Sequence, residues 1–219
     1  MTKGKLYIGT RRYSSWSLRG WLAVRLAGLE VEEIVIPLAG GATPAVQAVS
    51  PGGTVPYLEH EGAAIWDSLA ICEYCAEAAP TLWPADRIAR AHARTIAAEM
   101  HAGFRELRTA MPMSLFRPAA STCATPGAAA DIARIDAIWC DTIQRFGAGG
   151  PFLFGAGLGN ADAMYAPVVA RLLTYAPALS PIAAAYCAAV RSHPLVAEWY
   201  DLAAQEPPAW HLERYETAP

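Results

Sequence analysis

The sequence predicts a mixed α/β unit over about its first 80 residues, followed by an all-helical unit. Three observations carry this. Strand-like and helix-like apolar spacings alternate up to about residue 79. The segment 79–84, Ala-Pro-Thr-Leu-Trp-Pro, is punctuated by two prolines and reads as a linker. Beyond it the strand signal vanishes and long helical patterns take over.

Lys5 to Gly9 reads as a strand, and Ser15 to Leu29 as a helix with apolar spacing at Leu18, Trp21, Leu22 and Leu26, ending near Gly28. Val31 to Pro37 is a second strand and Thr43 to Val49 a short helix. Val55 to Ile65 is a hairpin turning at Glu61-Gly62. Its start is special. Val55 precedes a proline, which disfavours helix, removes a backbone donor and makes a cis bond a candidate. Asp67-Ser68 then opens a helix running to about Ala79. After the linker, helical patterns run over about 85–110, 127–146, 160–175, 181–190 and 194–204, in an alanine-rich background that favours helix.

Apolar residues make up 54% of the 219-residue chain and charged ones 17%, which suits a packed globular protein and excludes extended disorder. A net charge of −3 gives no electrostatic reason for nucleic-acid binding. Arg87, Arg90 and Arg94 recur at helical spacing as a solvated helix face. Apolar runs fall short of a membrane span. Met1-Thr2-Lys3-Gly4-Lys5 leads straight into Leu6 without a secretory signal, so a cytoplasmic location is expected. Five cysteines without a framework fit reduced thiols. Cys72 and Cys75 form a C-x-x-C, but they lie inside a helix rather than at its start, which makes them small core residues and not a redox pair. No metal site is expected.

The stretch Ser50 to Ile71 carries the most functional information. Val55-Pro56 offers an extended backbone rung, and Asp67-Ser68 places acceptors beside the free N–H groups of a helix start, a cradle for a small carboxylate. The pair suits a short acidic peptide. Ser50-Pro51, Val55-Pro56 and Asp67-Ser68-Leu69-Ala70-Ile71 resemble the glutathione transferase superfamily. So do Tyr13-Ser14-Ser15-Trp16-Ser17-Leu18-Arg19 and the segment from Gly155 to Asn160-Ala161-Asp162. The resemblance implies a thioredoxin-like βαβ-α-ββα domain over 1–80, a linker over 81–86 and an all-helical domain over 87–219 forming a second-substrate pocket. It also implies a homodimer and a detoxification-type activity.

By the same resemblance, 14–19 is similar to the zeta-class Ser-Ser-Cys-Ser-Trp-Arg motif, which puts the catalytic serine on Ser14 and replaces the motif cysteine with Trp16. Tyr13 is the rival hydroxyl. Glutathione, as co-substrate, is then expected to meet Ser15, Thr54, Val55, Pro56, Asp67 and Ser68. Thr54 stands where many relatives carry lysine or glutamine, which weakens the expected hold on the glycyl end. Tyr13, Trp16, His101 and Phe104 are the candidate substrate-pocket residues, and an apolar pocket is expected. Asp162 belongs to a structural capping box whose capping position is Gly159. The expected activity is attack of a glutathione thiolate on a small, mainly apolar electrophile. A glutathione-dependent isomerase of the maleylacetoacetate type is the first alternative, although its substrate-binding arginine aligns with Thr174, one turn past Arg171. A non-catalytic protein-binding module on the same fold is the second.

Overall fold

The computed structural model describes residues 4–118 and 125–217. Met1 to Lys3 and Cys123 lie outside the described residues. Strand β1 (Gly4–Gly9) leads to helix α1 (Ser15–Leu26), β2 (Val31–Ile36), α2 (Pro44–Val49), β3 (Tyr57–His60), β4 (Ala63–Ile65) and α3 (Ser68–Ala78). The sheet order is β2-β1-β3-β4, with β1 parallel to β2 and antiparallel to β3, and β3 antiparallel to β4. This is the expected βαβ-α-ββα layout.

Alternation along β1 divides the core. Leu6 and Ile8 join Leu58 in the main core under α1 and α3, whereas Tyr7 joins Ile36, Val46, Val55 and Tyr57 beneath α2. The hairpin turns through Glu61 and Gly62, whose φ values of 49° and 87° suit a tight primed turn.

A 3₁₀ turn at Pro80–Leu82 leads to the helices α4 (Arg87–Ala102), α5 (Arg105–Ala110), α6 (Pro126–Phe146), α7 (Asn160–Tyr175), α8 (Pro181–Ser192), α9 (Pro194–Ala204) and the short α10 (Glu213–Glu216). Helix α7 is buried along most of its length, as an all-round apolar helix must be. Its Asn160 Nδ2 donates to the Cys72 carbonyl of α3 at 2.8 Å. The two halves also meet where Trp21 of α1 packs edge-on against Trp199 of α9, with ring centroids 5.2 Å apart.

The single helix expected over about 85–110 is two. The chain breaks at Gly103 and Phe104, where Phe104 adopts a left-handed conformation with φ of 56°. Apolar spacing runs through the break at Met100, Phe104 and Leu107, all buried, so periodicity could not show it. Cys72 and Cys75 are fully buried core residues, and burial pushes the Cys75 thiol up to about 12. Among the described residues no helix is long and apolar enough to cross a membrane.

Candidate functional site

The loop between β1 and α1 is pinned from both sides. Thr10 Oγ1 accepts the Leu38 N–H at 2.9 Å, drawing in the segment that follows β2. From the helical half, the Glu206 carboxylate accepts the backbone N–H groups of Arg11 at 2.7 Å and Arg12 at 3.2 Å. Trp199 Nε1 donates to the Arg11 carbonyl at 3.2 Å. The loop is therefore fixed before any ligand arrives.

Ser14 caps α1. Its Oγ accepts the Ser17 N–H at 3.3 Å and donates to Ser17 Oγ at 2.7 Å, while Ser17 Oγ accepts the Gly9 N–H at 2.9 Å. The hydroxyl sits at the positive end of a helix, where an anion is favoured. Tyr13 is committed elsewhere. Its hydroxyl donates to Glu216 and accepts the Leu212 N–H at 3.1 Å. Burial, then the Glu216 contact, push its pKa up to about 12.

A cavity of about 440 Å³ opens over this loop. It is lined by Tyr13, Ser14, Ser15 and Trp16, by Thr54 and Val55, and by Leu212 and Tyr215 of the C-terminal segment. The Val55–Pro56 bond is cis. Pro56 is buried behind the wall against Gly20 of α1, where a methyl group would come within 2.8 Å of the proline ring. The expected catalytic Ser14 and three of the six expected glutathione contacts, Ser15, Thr54 and Val55, thus line one cavity.

Asp67 and Ser68 do not line it. Asp67 caps α3 by accepting the Leu69 N–H at 3.1 Å, and its other carboxylate oxygen lies 3.2 Å from His101 Nε2 on α4. Ser68 is fully buried and its hydroxyl has no hydrogen-bond partner among the described residues. Trp16 stands near this corner: its ring stacks on His101 at 6.2 Å and carries the guanidinium of Arg19 at 4.1 Å.

A second cavity of about 520 Å³ adjoins the first across Tyr13, Ser15 and Tyr215. Its wall sets Pro112, Met113 and the rings of Tyr13 and Tyr215 beside three arginines. Of the four candidate pocket residues only Tyr13 lines it. Phe104 turns into the core at the helix break, and His101 lies behind Trp16. The vacated wall is instead Arg108 of α5, Arg171 of α7 and Arg214 of α10. Sequence reasoning missed Tyr215 and Arg214, because a four-residue helix leaves no periodic signal. Among the described residues no group of three or more His, Cys, Asp and Glu side chains could hold a metal ion.

Residues 13–78 match the family model for the glutathione S-transferase N-terminal domain. Among curated proteins, the chain is 33% identical over 115 residues to a "Probable maleylacetoacetate isomerase" of Caenorhabditis elegans. That match spans 52% of this chain and 53% of the relative, about half of each. Among solved structures, a glutathione transferase homolog from Burkholderia GL BGR1 with bound glutathione superposes with a TM-score of 0.70 at 22% identity, covering 93% of this chain and 99% of that one. A theta class enzyme from Xanthomonas axonopodis pv. citri, also with glutathione bound, gives 0.65 at 23% identity, covering 94% and 99%. The chain therefore has the glutathione S-transferase fold, and its residues 13–78 match the N-terminal domain of that superfamily.

Proposed function

We propose that the chain is a serine-type glutathione transferase, built as a glutathione-binding domain over 1–80, a linker over 81–86 and a helical domain over 87–219 that holds the second substrate. The observation that carries this reading is the shared cavity of Ser14, Thr54 and Val55 at the start of α1. The chemistry needs a thiolate near neutral pH, and an ordinary thiol has a pKa of roughly 8.5. Lowering it by about two units takes roughly 2.7 kcal/mol of preferential stabilisation of the anion. A donated hydroxyl and a helix N-terminus together supply energy of that order.

Ser14 is the donor in this reading. Turning its hydroxyl from Ser17 Oγ to the sulfur leaves Ser17 still bonded to the Gly9 N–H. Tyr13 is the weaker candidate because its proton is given to Glu216. Val55 offers its backbone to the cysteinyl unit and Pro56 fixes that backbone. Thr54 reaches the glycyl end, with Ser15 beside the sulfur. Asp67 and Ser68 at the start of α3 are assigned to the γ-glutamyl group, with the half-exposed Asp67 carboxylate facing its ammonium and the helix N–H groups its carboxylate. Cytoplasmic residence and a homodimer belong to the same reading, the latter testable by sedimentation.

The test is calorimetric titration with reduced glutathione beside Ser14→Ala and Ser68→Ala. Saturable binding, with Ser68→Ala weakening affinity and Ser14→Ala abolishing turnover of a chloronitrobenzene, supports the proposal. An absence of binding sinks it and leaves the protein-binding module. A second reading, a glutathione-dependent isomerase, is favoured by the curated relative. Turnover of maleylacetoacetate without net consumption of glutathione would select it.

A further inference from the structure

The second cavity carries a charge that thiolate formation does not use. Arg108, Arg171 and Arg214 line it and, among the described residues, no acidic one does. None of the three makes an ion pair among the described residues, and Asp131 acts on Arg108 from farther away. Arg171 is held rigidly: Nε donates to the Met111 carbonyl at 2.8 Å, Nη1 to the Pro167 carbonyl at 3.1 Å and Nη2 to Ser15 Oγ at 3.3 Å. The Arg108 guanidinium lies 4.9 Å from the Trp16 ring, and Arg214 donates to the hydroxyl of Tyr215.

Cations crowded in a partly desolvated wall destabilise one another. Burial, then the charge of Arg108, bring Arg171 down to about 10. Burial also lowers Arg108, with partial compensation from Asp131. Close by, against Trp16, the fully buried Arg19 has none of its three nitrogens hydrogen-bonded among the described residues, and Arg171 and Arg108 both add to its depression by burial. A small anion in the cavity relieves this repulsion, and a planar carboxylate matches the guanidinium fork.

We propose that the second cavity holds an electrophile bearing a carboxylate, which Arg108 and Arg214 bind while its reacting carbon faces the first cavity across Ser15. This rests on the transferase reading above and adds the charge of the acceptor to it. It replaces the mainly apolar electrophile that the sequence led us to expect. Selection then lies in α5 and α10, outside the segment that matches the family model. For an aryl chloride the step balances simply. The glutathione sulfur forms a bond to the ring carbon, the C–Cl electron pair leaves with chloride, and the thiol proton goes to solvent.

4-Chloro-3-nitrobenzoate and 4-chloro-3-nitrobenzamide differ in that charge and little else. Their affinities are measured by calorimetry, on the protein alone and with S-methylglutathione, which lacks a nucleophilic thiol. The benzoate is expected to bind at least tenfold more tightly, and Arg108→Gln and Arg214→Gln each to cut that ratio several-fold, with Arg108→Lys retaining part of it. Equal affinities, no measurable binding of either compound, or a ratio that survives both glutamine variants overturns the proposal. Thermal melts check folding; if Arg108→Gln is unfolded, Arg214→Gln on the exposed α10 decides. Failure of S-methylglutathione to bind would strike the transferase reading instead, and the ratio on the protein alone still settles the charge question.

Discussion

The Tyr13 hydroxyl donates to Glu216 Oε1 at 2.5 Å, joining residues 203 positions apart. The same carboxylate accepts from Arg12, with Nη2 3.0 Å from Oε2, and from Ser114 Oγ at 3.3 Å. One acid thus ties the C-terminal segment over both cavities, because Tyr215 stands in the wall of each.

Arg12, then Tyr13, hold the Glu216 carboxyl down to about 2. A carboxyl depressed in the folded state contributes stability that is present above its unfolded value near 4.5 and is lost as pH falls through about 2. The side chain is 21% exposed, so solvent screening brings the contribution to the order of 1 kcal/mol. Glu216→Gln should be less stable than the parent by about that amount at pH 7, with the difference shrinking between pH 4.5 and 2. Urea melts across that range measure it, and hydrogen exchange at 207–217 should accelerate in the variant. Unchanged exchange there would mean the segment is held by something other than Glu216.

Gly20 predicts a coupling between α1 and the Val55–Pro56 rung. A Cβ at residue 20 would lie 2.8 Å from Pro56 Cγ and 3.0 Å from its Cβ, against a ring that cannot swing aside. Gly20→Ala should therefore destabilise the fold by about 1–3 kcal/mol as overpacking does. It should also weaken glutathione binding by displacing Val55. Gly157→Ala, where nothing lies within 4 Å, is the control. Equal behaviour of the two variants would refute the coupling.

Much of this architecture was readable because it is local. Ser14, the Val55-Pro56 start of a hairpin and Asp67 at a helix start are each set by neighbours in sequence, and each appears where turn and cap chemistry put it. The second cavity was not readable for the opposite reason. Whether Phe104 or Arg108 faces it depends on a helix break set by one left-handed residue, and apolar spacing continues through that break. Tyr215 and Arg214 reach the site through contacts across the whole chain: Glu216 with Arg12 and Tyr13, the Leu212 N–H with the Tyr13 hydroxyl, and the Tyr215 ring against Tyr13.

Thiol chemistry gives a third prediction. Burial raises the pKa of Cys72 and Cys75 and carries Cys187 to about 12; it raises Cys140 too, but that thiol is only half-buried beside Asp136 and Ser180 and stays within reach of solvent. Alkylation at neutral pH followed by peptide mapping should label Cys140 in the native protein, and Cys72, Cys75 and Cys187 only after denaturant. Rapid native labelling of Cys72, or a disulfide between Cys72 and Cys75, would revive a redox role for that pair.

Asp162 is fully enclosed at the start of α7 and organises three donors. Oδ1 accepts the Leu153 N–H at 3.1 Å and the Tyr186 hydroxyl at 3.0 Å, and Oδ2 accepts the Gly159 N–H at 2.9 Å. Glycine at the cap position leaves the acid to hold the helix start from one side, while Asn160 bonds to α3 instead. Asp162→Ala strands all three donors. With each buried unsatisfied group costing about 1–3 kcal/mol, the loss should be at least about 3 kcal/mol. Asp162→Asn keeps an acceptor and should cost less. Burial outweighs the three donors and raises the carboxyl to about 6 from 3.8. The folded state then holds the proton more tightly, so stability rises as pH is lowered from 7 through 6 toward 4. Chemical melts at pH 7 and pH 5 should show the parent gaining stability relative to Asp162→Asn, a difference in which the shared contributions of Glu206, His92 and His193 cancel. A parent that loses stability relative to the variant over the same interval would mean that the donors, rather than burial, govern this carboxyl.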